Sequence, residues 1–152
     1  MKPGDPVFVN SLLTNPGGLR LRVIHETVQF PRDKIVFTLA RLGVAAELAE
    51  ATMIVDLRDK AGVKVKDKQA AQSVDVTITA KKSLPDGPVL ELQFRLADSK
   101  EQTIKLTHAA EALDEEGKKV AGLQVTTAPE LVVSSGLAPP PAAVLGCFFF
   151  TH

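Results

Sequence analysis

The 152-residue chain has no tryptophan, no tyrosine and one cysteine, and it carries no excess charge, with 18 basic and 18 acidic side chains. Each shortage excludes something. Balanced charge argues against a nucleic-acid binder, which presents a basic face. A lone Cys147 cannot close an internal disulfide, so it is a free thiol or an intermolecular one. No run reaches the roughly 18 apolar residues that cross a bilayer. The missing Trp and Tyr weigh against a sugar-binding platform, because such faces stack an apolar ring with a polar tip against the sugar. All seven aromatics are Phe: Phe8, Phe30, Phe37 and Phe94 in the body of the chain, and Phe148, Phe149 and Phe150 near its end.

What is present is period-two alternation. Leu90, Leu92, Phe94 and Leu96 share one face against Glu91, Gln93 and Arg95. Val74, Val76, Ile78 and Ala80 repeat the pattern against Asp75, Thr77 and Thr79, as do Met53, Val55 and Leu57 against Ile54 and Asp56. Further strands are expected over Val7 to Leu13, Leu21 to Phe30 and Ile35 to Leu39, around Ile104 and Leu106, and around Ala121, Leu123 and Val125. In the third of these, Ile35, Phe37 and Leu39 form the apolar face. Turns rich in Gly, Pro and Asp separate them: Asn15-Pro16-Gly17-Gly18, Pro31-Arg32-Asp33-Lys34, Lys60-Ala61-Gly62, Leu84-Pro85-Asp86-Gly87-Pro88 and Asp114-Glu115-Glu116-Gly117. The reading is an all-β, single jelly-roll or Greek-key sandwich of about nine strands with little helix. Ala40 to Ala51 predicts two helical turns, weakened by Gly43, and His108 to Leu113 one more. Val63 to Lys68 predicts a solvated edge strand blunted by its lysines.

After Val133 the character changes. The sandwich is read as residues 1–135, a proline-rich linker with Pro139-Pro140-Pro141 as 136–142, and an apolar tag as 143–152. From Gly136 onward no Asp, Glu, Lys or Arg occurs.

Three stretches of the chain carry a family resemblance. They are Gly4-Asp5-Pro6-Val7-Phe8-Val9 with the small-residue turn Pro16-Gly17-Gly18-Leu19, then Val28-Gln29-Phe30-Pro31-Arg32-Asp33-Lys34-Ile35-Val36-Phe37, then Leu84-Pro85-Asp86-Gly87-Pro88-Val89-Leu90-Glu91-Leu92-Gln93-Phe94. With the acidic–glycine turn Ala112-Leu113-Asp114-Glu115-Glu116-Gly117-Lys118-Lys119-Val120, their order over residues 4–134 resembles the cohesin-like β-sandwich modules of bacterial extracellular proteins. The resemblance implies a nine-stranded jelly roll that binds another protein, a dockerin module in cellulosomal relatives, and catalyses nothing. It also implies an extracellular or cell-surface setting. The opening Met1 to Pro6 contains no apolar stretch like a secretion signal, so a cytoplasmic chain and one whose leader was removed both stand. Phe30-Pro31-Arg32-Asp33 departs from the family's Tyr-Asp-Pro turn. Val23 and His25 do not match the polar recognition residues of relatives, so no dockerin-contact residue is carried over.

Candidate sites are few. His25 lies on the Val23/His25/Thr27/Gln29 face, expected to be the wetter one, without partners at ligand spacing. His108 reads as a strand-end histidine sharing parity with Ile104 and Leu106. Asp114-Glu115-Glu116 lacks the alternating layout of a calcium loop and reads as a solvated turn. Neither a Gly-x-Ser-x-Gly elbow nor a local Cys–His signature occurs. Val144-Leu145-Gly146-Cys147 resembles a lipobox but lies too far along the chain to act as one, and Cys147 with His152 makes only two metal ligands. No catalytic residue, metal or cofactor is expected.

The tag is the strongest functional signal. Val144, Leu145, Cys147, Phe148, Phe149 and Phe150 are the expected partner-binding residues, a proline-free and uncharged β-forming run. Burying its three Phe is worth on the order of 5–8 kcal/mol before ordering costs. Such a segment docks onto its own sandwich, a neighbouring copy, another protein or a membrane surface, the last being the weakest destination. The expectation is a non-catalytic assembly module whose tag inserts into a neighbouring subunit to build oligomers or filaments. The alternatives are a cohesin-type receptor for a separate dockerin-like partner with a self-packed tag, and a carbohydrate-binding module.

Overall fold

Alternating strands with one apolar face must cover that face, and two sheets stacked face to face are the simplest solution. The computed structural model of the protein describes residues 4–15, 20–97, 102–120, 124–126 and 130–133. Among them are β1 (Pro6–Thr14), β2 (Leu21–Gln29), β3 (Ile35–Leu42), β4 (Thr52–Arg58), β5 (Lys64–Val65) and β6 (Ser73–Thr79). Then follow β7 (Gly87–Leu96), β8 (Gln102–Lys105), β9 (Thr107–Asp114), β10 (Gln124–Thr126) and β11 (Glu130–Val133). One short helix, α1 (Val44–Leu48), and a 3-10 turn at Lys68–Ala70 complete the described elements. A four-stranded sheet, β10-β1-β7-β3, faces a five-stranded sheet, β5-β4-β6-β2-β9, and β8 pairs with β11 as a ribbon. Every pairing among the described residues is antiparallel. The sandwich expected from the alternation is therefore the fold. Its strand segments exceed nine because β5 is a two-residue edge piece and the last stretch divides into β10 and β11.

The inward faces match the sequence parity. Val7, Val9 and Leu13 of β1 and Leu90, Leu92, Phe94 and Leu96 of β7 are buried on one sheet; Ile24 and Val28 of β2 and Val74, Val76 and Ile78 of β6 are buried on the other. At the centre, Phe94 receives Phe30 edge-on at 4.9 Å and Phe37 at 5.9 Å between ring centroids. Edge-to-face contact sets the positive rim of one ring against the negative face of the next. Three of the four body phenylalanines thus form one cluster, while Phe8 lies half-buried on the other face of β1.

Four local expectations are corrected. The helix predicted over Ala40 to Ala51 is confined to Val44–Leu48, because β3 continues through Leu42 in pairing with β7. Gly43 interrupts the two for a packing reason: a Cβ there would sit 2.3 Å from the Pro88 carbonyl oxygen, and its N–H donates to the Val89 carbonyl at 2.9 Å. His108 to Leu113 forms strand, not helix, because the whole of β9 pairs along β2. The Ile35/Phe37/Leu39 face breaks at a bulge between Phe37 and Leu39, after which Ala40 and Leu42 turn toward the core. The predicted edge strand over Val63 to Lys68 shrinks to Lys64–Val65, since Asp67 caps the following 3-10 turn by accepting the Gln69 N–H. It does lie at a sheet edge.

Among the described residues no helix is long and apolar enough to cross a membrane. The tag residues Val144, Leu145, Cys147, Phe148, Phe149 and Phe150, the linker 136–142, the boundary at 135, residues 16–19 of the first turn and residues 121–123 lie outside the described residues.

Candidate functional site

Since the inward positions of the five-stranded sheet serve the core, chemistry available to a partner lies on its outward positions. The register assembles these into rows across β4, β6, β2 and β9. One row runs Ile54, Thr77, His25, Glu111, and the next runs Asp56, Asp75, Thr27, Ala109. Ile54 is 66% exposed, an aliphatic side chain in a mainly polar field. On the same sheet, two strands away from Ile54, a shallow hollow of about 220 Å³ opens between His25, Thr27, Ala109 and Glu111. His25 is thus on the wetter face, as its parity predicts.

Asp75 is held firmly in this face. The Arg58 Nε–H donates to its Oδ2 at 2.7 Å and the Thr27 hydroxyl to its Oδ1 at 2.7 Å. Partial burial works against its charge, but those two hydrogen bonds and the guanidinium charge outweigh it and hold the carboxyl below its ordinary value. The result is a fixed anionic position beside an exposed aliphatic one.

A second polar constellation lies inside. Glu26, 1% exposed, occupies an inward position of β2 between Ile24 and Val28. Its Oε2 accepts the Ser11 hydroxyl from the opposite sheet at 2.9 Å, and its Oε1 lies 2.8 Å from His108 Nε2 on β9. Ser, Glu and His side by side invite a catalytic reading, yet the carboxylate sits between the other two. The hydroxyl is bonded to an acid rather than to an imidazole base, so nothing activates it as a nucleophile. The group is a cross-tie between sheets. His108 is therefore more than a strand-end histidine. Glu26 escaped the sequence reading, although a glutamate in register with Ile24 and Val28 was a visible signal.

The acidic turn is neutralised locally. Asp114 Oδ1 accepts the N–H groups of Glu116 and Lys118, and Arg22 donates to Glu115 at 3.1 Å. Backbone donation, chiefly from Lys118, keeps the Asp114 carboxyl below its ordinary value. Among the described residues no group of three or more His, Cys, Asp or Glu is placed to hold a metal ion.

No family model and no curated protein matches the chain. Solved structures do. CaCohA2 of Clostridium acetobutylicum, in the complex with a CaDoc0917 variant, superposes with a TM-score of 0.65 at 14% identity over 88% of this chain and 93% of that one. The fold is cohesin-like. The sixth cohesin of Acetivibrio cellulolyticus scaffoldin B, complexed with a Cel5 dockerin mutant, gives 0.60 at 13% identity over 79% and 84%. A non-cellulosomal cohesin from the archaeon Archaeoglobus fulgidus gives 0.53 at 15% over 78% and 75%. At these identities the likeness is one of fold.

Proposed function

We propose that this cohesin-like sandwich is a non-catalytic protein-recognition module that receives a separate, dockerin-like partner on the outward face of its five-stranded sheet. The observation that carries the reading is the exposed Ile54 set in a polar row beside the clamped Asp75. An aliphatic anchor set among polar groups, one of them held fixed, has the composition of a binding hot spot. The reading is further supported by the solved complexes of this fold with dockerins. An extracellular or cell-surface setting belongs to the same proposal. Sugar recognition is disfavoured, because the chain has no Trp or Tyr to stack on a ring.

The experiment is a calorimetric titration of purified dockerin modules against the protein and its Ile54→Arg variant. Binding to the wild type that weakens at least ~tenfold in the variant, with unchanged thermal unfolding, is the expected result. Equal affinities for both proteins would remove the face from the reading.

The composition of residues 143–152 favours a second reading, in which Val144 to Phe150 dock into a neighbouring copy and join subunits head to tail. Deleting residues 142–152 is then expected to lower the mass measured by light scattering. An unchanged mass sinks this reading and leaves the first intact.

A further inference from the structure

A cleft lies at the end of the sandwich where β2 finishes, β6 begins and the β4–β5 turn passes, and we propose that it binds an acidic peptide segment. The cleft encloses about 510 Å³. Lys34 lines it from the β2–β3 turn, Lys60 from the β4–β5 turn and Lys105 from the end of β8. Among the described residues Asp59 is the one carboxylate in its lining, and Asp59 Oδ1 is already engaged by the N–H groups of Ala61 and Val63. None of the three lysines forms an ion pair within 4 Å with another described residue. Across the ribbon, Lys105 has Glu130 as its register partner. Among the described lining residues, three lysines against the single carboxylate of Asp59 leave the cleft positive.

Three ammonium groups from segments far apart in sequence line one cleft, and a concave wall concentrates their field on whatever enters. An anionic ligand complements that field. Gln29, Gln72, Thr103 and Thr107 add amide and hydroxyl groups that can pair with the backbone of an extended chain. Anionic sugars and acidic peptides share this charge requirement, and the ring inventory separates them. The aromatic residue lining the cleft is Phe30, 4% exposed and packed edge-on against Phe94, so it presents no face for sugar stacking. The choice of a peptide rests on the protein-recognition reading above, whereas the anion site rests on the cleft alone.

The test uses the full 152-residue chain and labelled hexaglutamate, followed by fluorescence anisotropy. Saturable binding is expected. It should weaken at least ~tenfold in Lys34→Glu/Lys60→Glu/Lys105→Glu and also weaken between about 50 and about 300 mM salt. Should the charge reversals prevent folding, Lys→Gln at the same three positions is expected to show a smaller loss in the same direction. Absence of saturable binding, or equal binding by the folded lysine variants, overturns the proposal. A heparin hexasaccharide that binds through the three lysines where hexaglutamate does not overturns the peptide assignment. Ile54→Arg separates the two sites: hexaglutamate binding is expected to survive it, and a loss matching that of the lysine variants would move the anion site onto the sheet face and overturn the cleft.

Discussion

Glu26 and Asp75 lie on opposite faces of one sheet, each held by a hydroxyl and a nitrogen side chain, and they differ in what they hold together. Glu26 points inward and ties three strands in two sheets through Ser11 and His108. Asp75 points outward and ties neighbouring strands of a single sheet through Thr27 and Arg58. Water cannot replace a lost partner at Glu26, but it can at Asp75. A polar group buried without its partner costs far more than a pair at the surface contributes. One carboxylate therefore serves the fold, and the other serves the surface on which a partner is proposed to sit.

Breaking Glu26 tests this most severely. Glu26→Ala leaves the Ser11 hydroxyl and His108 without their shared acceptor, and a loss of about 3–5 kcal/mol is expected in urea unfolding at neutral pH. A loss under about 1 kcal/mol would mean that water reaches the site and that the two carboxylates are equivalent. Ser11→Ala is the intermediate case. It removes one of two partners of Glu26 and is expected to cost about 1–3 kcal/mol.

Asp75→Asn is expected to cost at most about 1 kcal/mol at pH 7, because Arg58 is about one-third exposed and solvent screens the pair. Its pH dependence is the sharper readout. The folded carboxyl is held below its ordinary value, so its contribution is present above the unfolded-state value of about 3.9 and disappears as pH falls through the lower folded value. Wild type and Asp75→Asn should therefore converge in stability toward acid. A gap that widens on acidification would contradict the assignment. The smallest effect is expected from Ile54→Arg, within about 0.5 kcal/mol of wild-type stability, as suits a side chain that contacts solvent.

Much of the sandwich was legible because burial leaves a period-two trace. Val74/Val76/Ile78 and Leu90/Leu92/Phe94 announce their inward faces without help from any neighbour. The trace fails where pairing overrides propensity. Thr107–Asp114 is rich in helix-compatible Ala, Glu and Leu, yet it lies along β2 as a strand because its backbone completes that edge. Gly43 looked like a weak point in a helix, whereas it is where the chain passes against the Pro88 carbonyl. Of the proposed docking face, the outward parity of His25, Ile54 and Asp75 could be read directly, but their grouping into adjacent rows could not.

Alternation, turn chemistry and the missing Trp and Tyr were sufficient to establish a sandwich and to weigh against sugar stacking, since both conclusions depend on residue type and local spacing. Which charges meet was a matter for the packed chain. Glu26 lies 15 and 82 positions from its partners Ser11 and His108, Arg58 meets Asp75 from another strand, and the three lysines of the cleft come from two turns and a strand end. Their proximity follows from strand order and register, and no local pattern along the chain encodes either.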